Sequence, residues 1–169
     1  TGDIGNLNEI LTVTVEARDG LTLTGGGSGI TIDTADAANP NIALNVTNGG
    51  DVIISGTVTV TSNNTTNDGT LNIGGPIEGA GGTDNLTLES GTGTLTLSGV
   101  IGQDTALDGL DINTETGTAN ISISGIGDST GGSENAGAGI VNIGNASTGN
   151  MTFSGAFYRT DGAITVTTG

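Results

Sequence analysis

The segment from Gly102 to Gly117, GQDTALDGLDINTETG, puts four acidic side chains within a dozen residues. It sets Asp104, Asp108, Asp111 and Glu115 close together along the chain. Calcium takes six to eight oxygen ligands, carboxylates among them, so these four acids are the candidate metal ligands. A plainer reading stands beside this one. Asp-Gly pairs make turns, because Asp tolerates turn geometry and Gly supplies positive φ. On that reading no cofactor is required, and calcium is an option rather than a need.

Asp108 and Asp111 also raise the question of hydrolysis. Inverting glycoside hydrolysis wants two carboxyl groups about 6.5–9.5 Å apart on one wall. Lyase chemistry wants a strong base and cations to hold substrate carboxylates. The chain has only Arg18 and Arg159 as cations, near its opposite ends, with no Lys and no His. An enzyme, such as one degrading polysaccharide, is therefore the weakest expectation. Eighteen acids against two bases give a net charge of −16. That balance argues against nucleic acid and against an anionic membrane surface, both of which attract basic stripes. It suits a salty medium, where cations relieve self-repulsion. The absence of Cys rules out a disulfide framework and fits an exported protein that carries no thiols. No apolar run is long enough to span a bilayer, so membrane insertion is not expected.

The elements that must carry these residues are short and alternate. In Leu21-Thr22-Leu23-Thr24, period two sends the leucines to one face and the threonines to the other. Gly contributes 33 residues and aromatics only 2%. The glycines punctuate β-branched runs, which fit a pleated sheet, and they would penalise a helix heavily. Asp-Gly precedes an alternating run at Asp19-Gly20, Asp68-Gly69, Asp108-Gly109 and Asp161-Gly162. The first inward apolar residues Leu21, Ile42, Leu71, Leu86, Leu110, Val141 and Ile164 recur at an average of about 24 residues. A second strand follows most of them, and GTVTVTS reads as an inserted extra strand. Like-sized aliphatic residues at that period favour a parallel β-solenoid over an antiparallel sandwich or barrel. The expected fold is all-β: a right-handed parallel β-helix of about six coils of roughly 24 residues, with irregular corners. Residues 1–169 read as a single solenoid segment. The opening TGDIG and closing ITVTTG read as cuts inside a longer repetitive surface protein.

TNDGTLNIGG is faintly like the Gly-Asp nonapeptide that binds calcium in another class of solenoid, without its Gly-Gly-x-Gly lead. SGTGTLTLSGVIG, GSGITID and AGAGIVNIG carry a broader likeness. From about residue 20 onward the chain resembles the Gly/Thr-rich β-strand repeats of bacterial autotransporter passengers and filamentous-haemagglutinin-like adhesins. The resemblance implies a right-handed β-helix on a large exported protein, displayed as stalk or fibre. It implies no catalytic residues.

The expectation for function follows: a structural or adhesive segment of an extracellular protein at a bacterial cell surface, serving as stalk or self-assembling fibre. Its partners would be neighbouring repeats or further copies stacked end to end, or a surface glycan or host-cell receptor. The alternative is an ice- or carbohydrate-binding solenoid that uses Thr-rich faces. The outward positions Thr22, Ala43, Asn72, Thr87, Asp111, Asn142 and Thr165 form a rank broken by Asp and Asn, which weighs against ice. Specificity would sit in the corners TADAANPN, TSNNTTND and GDSTGGSENAGAG. Asp3 to Glu9 or Phe157 to Arg159 would cap the ends. Several Asn-x-Ser/Thr sequons, Asn64 the best placed, read as products of composition.

Overall fold

A computed structural model describes residues 12–26, 29–34, 41–63, 69–115, 117–127 and 137–169. Among these residues there are fifteen strands and no helix. The chain is an all-β parallel solenoid. Each circuit visits three faces in the same order. The first face stacks β1 (Thr12–Ala17), β4 (Asn41–Val46), β7 (Thr70–Gly74), β10 (Thr94–Leu97), β12 (Asn120–Ile123) and β14 (Met151–Phe153). The second face pairs β2 (Leu21–Thr24), β5 (Val52–Ser55) and β8 (Ile77–Gly79), then continues through single bridges at Ile101, Ile126 and Tyr158. The third face stacks β3 (Ile30–Asp33), β6 (Thr57–Thr61), β9 (Asn85–Glu89), β11 (Leu107–Ile112), β13 (Ala138–Ile143) and β15 (Ile164–Val166).

Every strand-to-strand pairing is parallel, and alternation then stacks like on like. One inner column of the first face runs Val13, Ile42, Leu71, Leu95, Ile121, Met151. The matching column of the third face runs Ile30, Val58, Leu86, Leu110, Val141, Ile164. The second face contributes Leu21, Val52, Ile77, Ile101, Ile126 and Tyr158. Most of these aliphatics are fully buried, at about 1.5–3 kcal/mol each. No single circuit could bury its own face, so stability accumulates between neighbours.

The spacing differs from the sequence expectation. Stacked partners lie 24 residues apart at Leu71↔Leu95 but 32 apart at Ile126↔Tyr158 and 23 apart at Val141↔Ile164. The residues taken as one recurring position belong to different faces: Leu21 to the second, Ile42 and Leu71 to the first, Leu86, Leu110, Val141 and Ile164 to the third. Averaging across faces produced the shorter period. GTVTVTS is no insertion, since β6 is the regular third-face strand between β3 and β9.

The Asp-Gly pairs also divide. Gly20, just before β2, has φ of +153°, as the turn reading requires. Gly162 has no such φ, and a Cβ there would run into the carbonyl oxygen of Gly139 in the preceding circuit. Close stacking, not turn geometry, calls for glycine at that corner. Asp108-Gly109 lies inside β11, and Asp68 falls outside the described residues.

Candidate functional site

The four candidate metal ligands are spread around one circuit. Asp104 sits in the corner between Ile101 and β11, Asp108 and Asp111 lie on β11, and Glu115 follows it. The two on β11 are engaged with other circuits. The Asp108 Oδ2 accepts the Asp84 N–H at 2.9 Å, and the Asp111 Oδ1 accepts the Asn142 side-chain amide at 2.8 Å. Among the described residues, no three acidic side chains are gathered into a group that could hold a metal ion.

The circuit before it contains what the sequence reading missed, a set of three carboxyl side chains buried inside the corners. Glu78 on β8, Asp84 before β9 and Glu89 at the end of β9 are each 2–3% exposed. A buried carboxylate must be matched by donors, and here the donors are backbone N–H groups of neighbouring circuits. Glu78 accepts from the N–H groups of Gln103 (3.0 Å), Asp104 (3.0 Å) and Thr105 (2.8 Å), holding the whole following corner. Asp84 Oδ1 reaches back and accepts the Gly56 N–H at 2.7 Å. Glu89 Oε1 accepts the Thr114 N–H at 3.0 Å and its hydroxyl at 3.2 Å. Beside Glu89, Asn113 adopts φ of +49° and accepts the Ser90 N–H through its Oδ1 at 3.1 Å.

These groups are not fully satisfied. Asp84 Oδ2 and Glu89 Oε2 are buried and have no hydrogen-bond partner. Burial pushes the Glu89 carboxyl up to about 7, against the pull of the Thr114 N–H and hydroxyl, with the Glu115 carboxylate adding to the rise. Burial likewise raises Glu78 above the ordinary carboxyl range, opposed by the N–H groups of Thr105, Asp104 and Gln103. The arrangement holds corners together and takes up protons. Its sequence signal was faint: lone acids in GGPIEGAGGTDNLTLES, next to glycine-rich corners. Period two alone puts Glu78 and Glu89 on the wet side.

The outer surface offers two further features. A groove of about 370 Å³ lies at the corner between the second and third faces, lined by Gly25, Gly26, Gly56, Thr57, Thr83 and Asn85. On the third face, Thr31, Thr59 and Thr87 stand in register, followed by Asp111, Asn142 and Thr165. The rank read from the sequence is thereby corrected, because Thr22 belongs to the second face and Ala43 and Asn72 to the first. Most of each of the three long corners expected to carry specificity lies outside the described residues, as do Asn64 and Asp3 to Glu9. Of the expected caps, Phe157 to Arg159 does lie on the last circuit. Tyr158 there donates its hydroxyl to the Ile123 carbonyl at 2.8 Å and meets Phe153 edge to face at 5.2 Å.

No helix among the described residues is long and apolar enough to cross a membrane. No protein family, curated protein or solved structure matches this chain.

Proposed function

We infer that the chain is a structural or adhesive segment of an extracellular protein on a bacterial cell surface, working as stalk or fibre. The observation that carries this reading is the stacking of like residues in register on all three faces, which makes the molecule a one-dimensional column. We take the column as about six coils, supported by the six strands on each of two faces. Right-handedness is supported by the strong preference of parallel crossovers for that hand. The surplus of acids keeps the surface solvated, and calcium serves as a counter-ion there rather than as a cofactor. Catalysis, nucleic acid and membrane insertion have no part in this role. Antibodies raised against the purified chain should decorate intact source cells in immunogold electron microscopy, at a distance from the envelope. Labelling only after permeabilisation overturns the reading.

The in-register Thr31, Thr59 and Thr87 favour a second reading, binding of ice or carbohydrate along the third face. Neighbouring threonines there are spaced at about 4.8 Å. Ice-recrystallisation and glycan-array assays on the chain and on Thr59→Asp test it. Identical behaviour of the two proteins removes this alternative.

A further inference from the structure

The corner between the first and second faces of the second circuit is longer than the corners stacked on either side of it. Five residues, 47–51, join β4 to β5, whereas three, 18–20, join β1 to β2, and two, Gly75 and Pro76, join β7 to β8. The surplus projects as a tight turn. Gly50 N–H closes it on the Thr47 carbonyl at 3.3 Å, and Asn48 and Gly49 at its tip have φ of +60° and +74°. Positive φ at both central residues is the geometry that selects Asn-Gly, and this is the only Asn-Gly pair in the sequence. Both ends of the turn are tied to the first circuit. Thr47 N–H donates to the Ala17 carbonyl at 2.9 Å, and the Asp51 carbonyl accepts the Leu21 N–H at 2.9 Å. The tip is open to water. Asn48 and Gly49 are exposed, and beyond the chain neighbours no atom lies within 4 Å of where a Cβ on Gly49 would stand. The Gly49 N–H has no hydrogen-bond acceptor among the described residues.

We propose that Asn48 is a site of self-inflicted covalent modification, at which the Gly49 nitrogen displaces the Asn48 amide and the corner then comes loose from the first circuit. The Gly49 nitrogen bonds to the Asn48 side-chain carbonyl carbon and gives up its proton. The carbon's bond to the amide nitrogen breaks, and ammonia leaves behind a cyclic imide. Water then opens the imide at either carbonyl. One cut gives aspartate; the other gives isoaspartate, in which the main chain runs through the former side chain. Glycine at position 49 removes the Cβ that would crowd the attack. Asn72 and Asn142 lie inside β7 and β13 and are followed by isoleucine, whose branched side chain obstructs it. The product disturbs a particular contact, because Asn48 Nδ2 donates to Asp19 Oδ1 at 2.8 Å. Modification removes that donor and sets a second carboxylate against the first, where like charges repel. Arg18 Nε, 3.9 Å from Asp19 Oδ1, is too exposed to offset this fully. Isoaspartate also lengthens the main chain by a methylene between ends that Ala17 and Leu21 hold in place. Gly50 has no room to take up the slack, since a Cβ there would lie 2.3 Å from the Asp19 carbonyl oxygen. The reaction is independent of the stalk reading and needs only water.

The full chain, held in mildly alkaline buffer and sampled over time beside a synthetic peptide of residues 45–52, tests this. Peptide mapping by mass spectrometry should show Asn48 exchanging NH for O at a rate comparable to the peptide's, with isoaspartate among the products. Asn72 and Asn142 should persist over the same period. In the aged chain the amides of Leu21, Thr47 and Gly50 should lose protection from hydrogen exchange, while β9 and β11 keep theirs. Asn48→Asp should reproduce the charge effect in fresh protein, lowering protection at Leu21 and Thr47. Adding Asp19→Asn to that variant again sets an amide against a carboxylate and should restore the protection. An Asn48 that stays intact after the peptide has converted would overturn the proposal, because the folded turn would then be shielding its amide. So would a modified chain whose Leu21 and Thr47 amides exchange as they do in fresh protein.

Discussion

The circuit of β7, β8 and β9 and the circuit of β14 and β15 use the same strand pattern with opposite outcomes. In the middle circuit Leu71, Ile77, Leu86 and Leu88 are sealed on both sides, and three acids are drawn inside to hold the corners. In the last circuit Phe153, Ile164 and Val166 occupy equivalent places and stay exposed. Burial in a solenoid is therefore a property of having two neighbours rather than of residue type. Polar groups follow the same rule. Glu78, Asp84 and Glu89 are costly to bury, and only a corner with backbone donors above or below it tolerates them.

The largest test of this contrast is a pair of truncations. Leu88→Ala should cost about 2–5 kcal/mol, the usual range for a sealed leucine. Val166→Ala, on the open circuit, should cost about 0.5 kcal/mol or less. Urea midpoints of the two variants measure the gap directly, and equal costs would break the comparison.

Glu89→Gln sharpens it next. The Glu89 carboxyl titrates near 7 in the folded chain against an ordinary value of 4.5, so folding takes up a proton between those values. Its contribution to stability is then fully present below pH 4.5 and is lost as pH rises through about 7. Wild type should lose stability over that window, and Glu78 adds to the loss in the same direction. Glu89→Gln should flatten the profile and exceed wild type by on the order of 2 kcal/mol at pH 8. Denaturation midpoints at pH 4, 6 and 8 would show it, and an unchanged profile would assign the pH dependence to other groups.

Asn113→Ala gives the most local of the three effects. It strands the Ser90 N–H and puts alanine at a left-handed φ, for about 1–3 kcal/mol. Native-state hydrogen exchange should locate the damage, with Ser90 and the corner after β9 losing protection while β14 and β15 stay as they were.

The strands were legible because alternation is local: LTLT, NLTLE and TLTL need no partner to reveal their inner side. Assignment of strands to faces was not legible, because Leu71 and Leu86 look alike in sequence and differ only in what they stack on. The corner chemistry was hidden for a related reason. Glu78 and Glu89 sit at outward parity in their strands and become buried only when the next circuit folds over them, at 103–105 and at Thr114. Glycine was read for turns, which is true of Gly20, while Gly162 is needed by a carbonyl far away in sequence. The acid-rich segment stood out in composition, yet Asp108 and Asp111 within it serve contacts between circuits.

The uneven spacing of stacked partners has a mechanical consequence. Each circuit adds about 4.8 Å to the column however many residues it contains. Peeling one circuit of 24 residues, the step from Leu71 to Leu95, would release roughly 80 Å of extended chain at about 3.3–3.6 Å per residue. Under tension, such a column lengthens many-fold for each layer it gives up. A pulling force would be absorbed in unequal steps, set by spacings such as 24 residues at Leu71↔Leu95 and 32 at Ile126↔Tyr158.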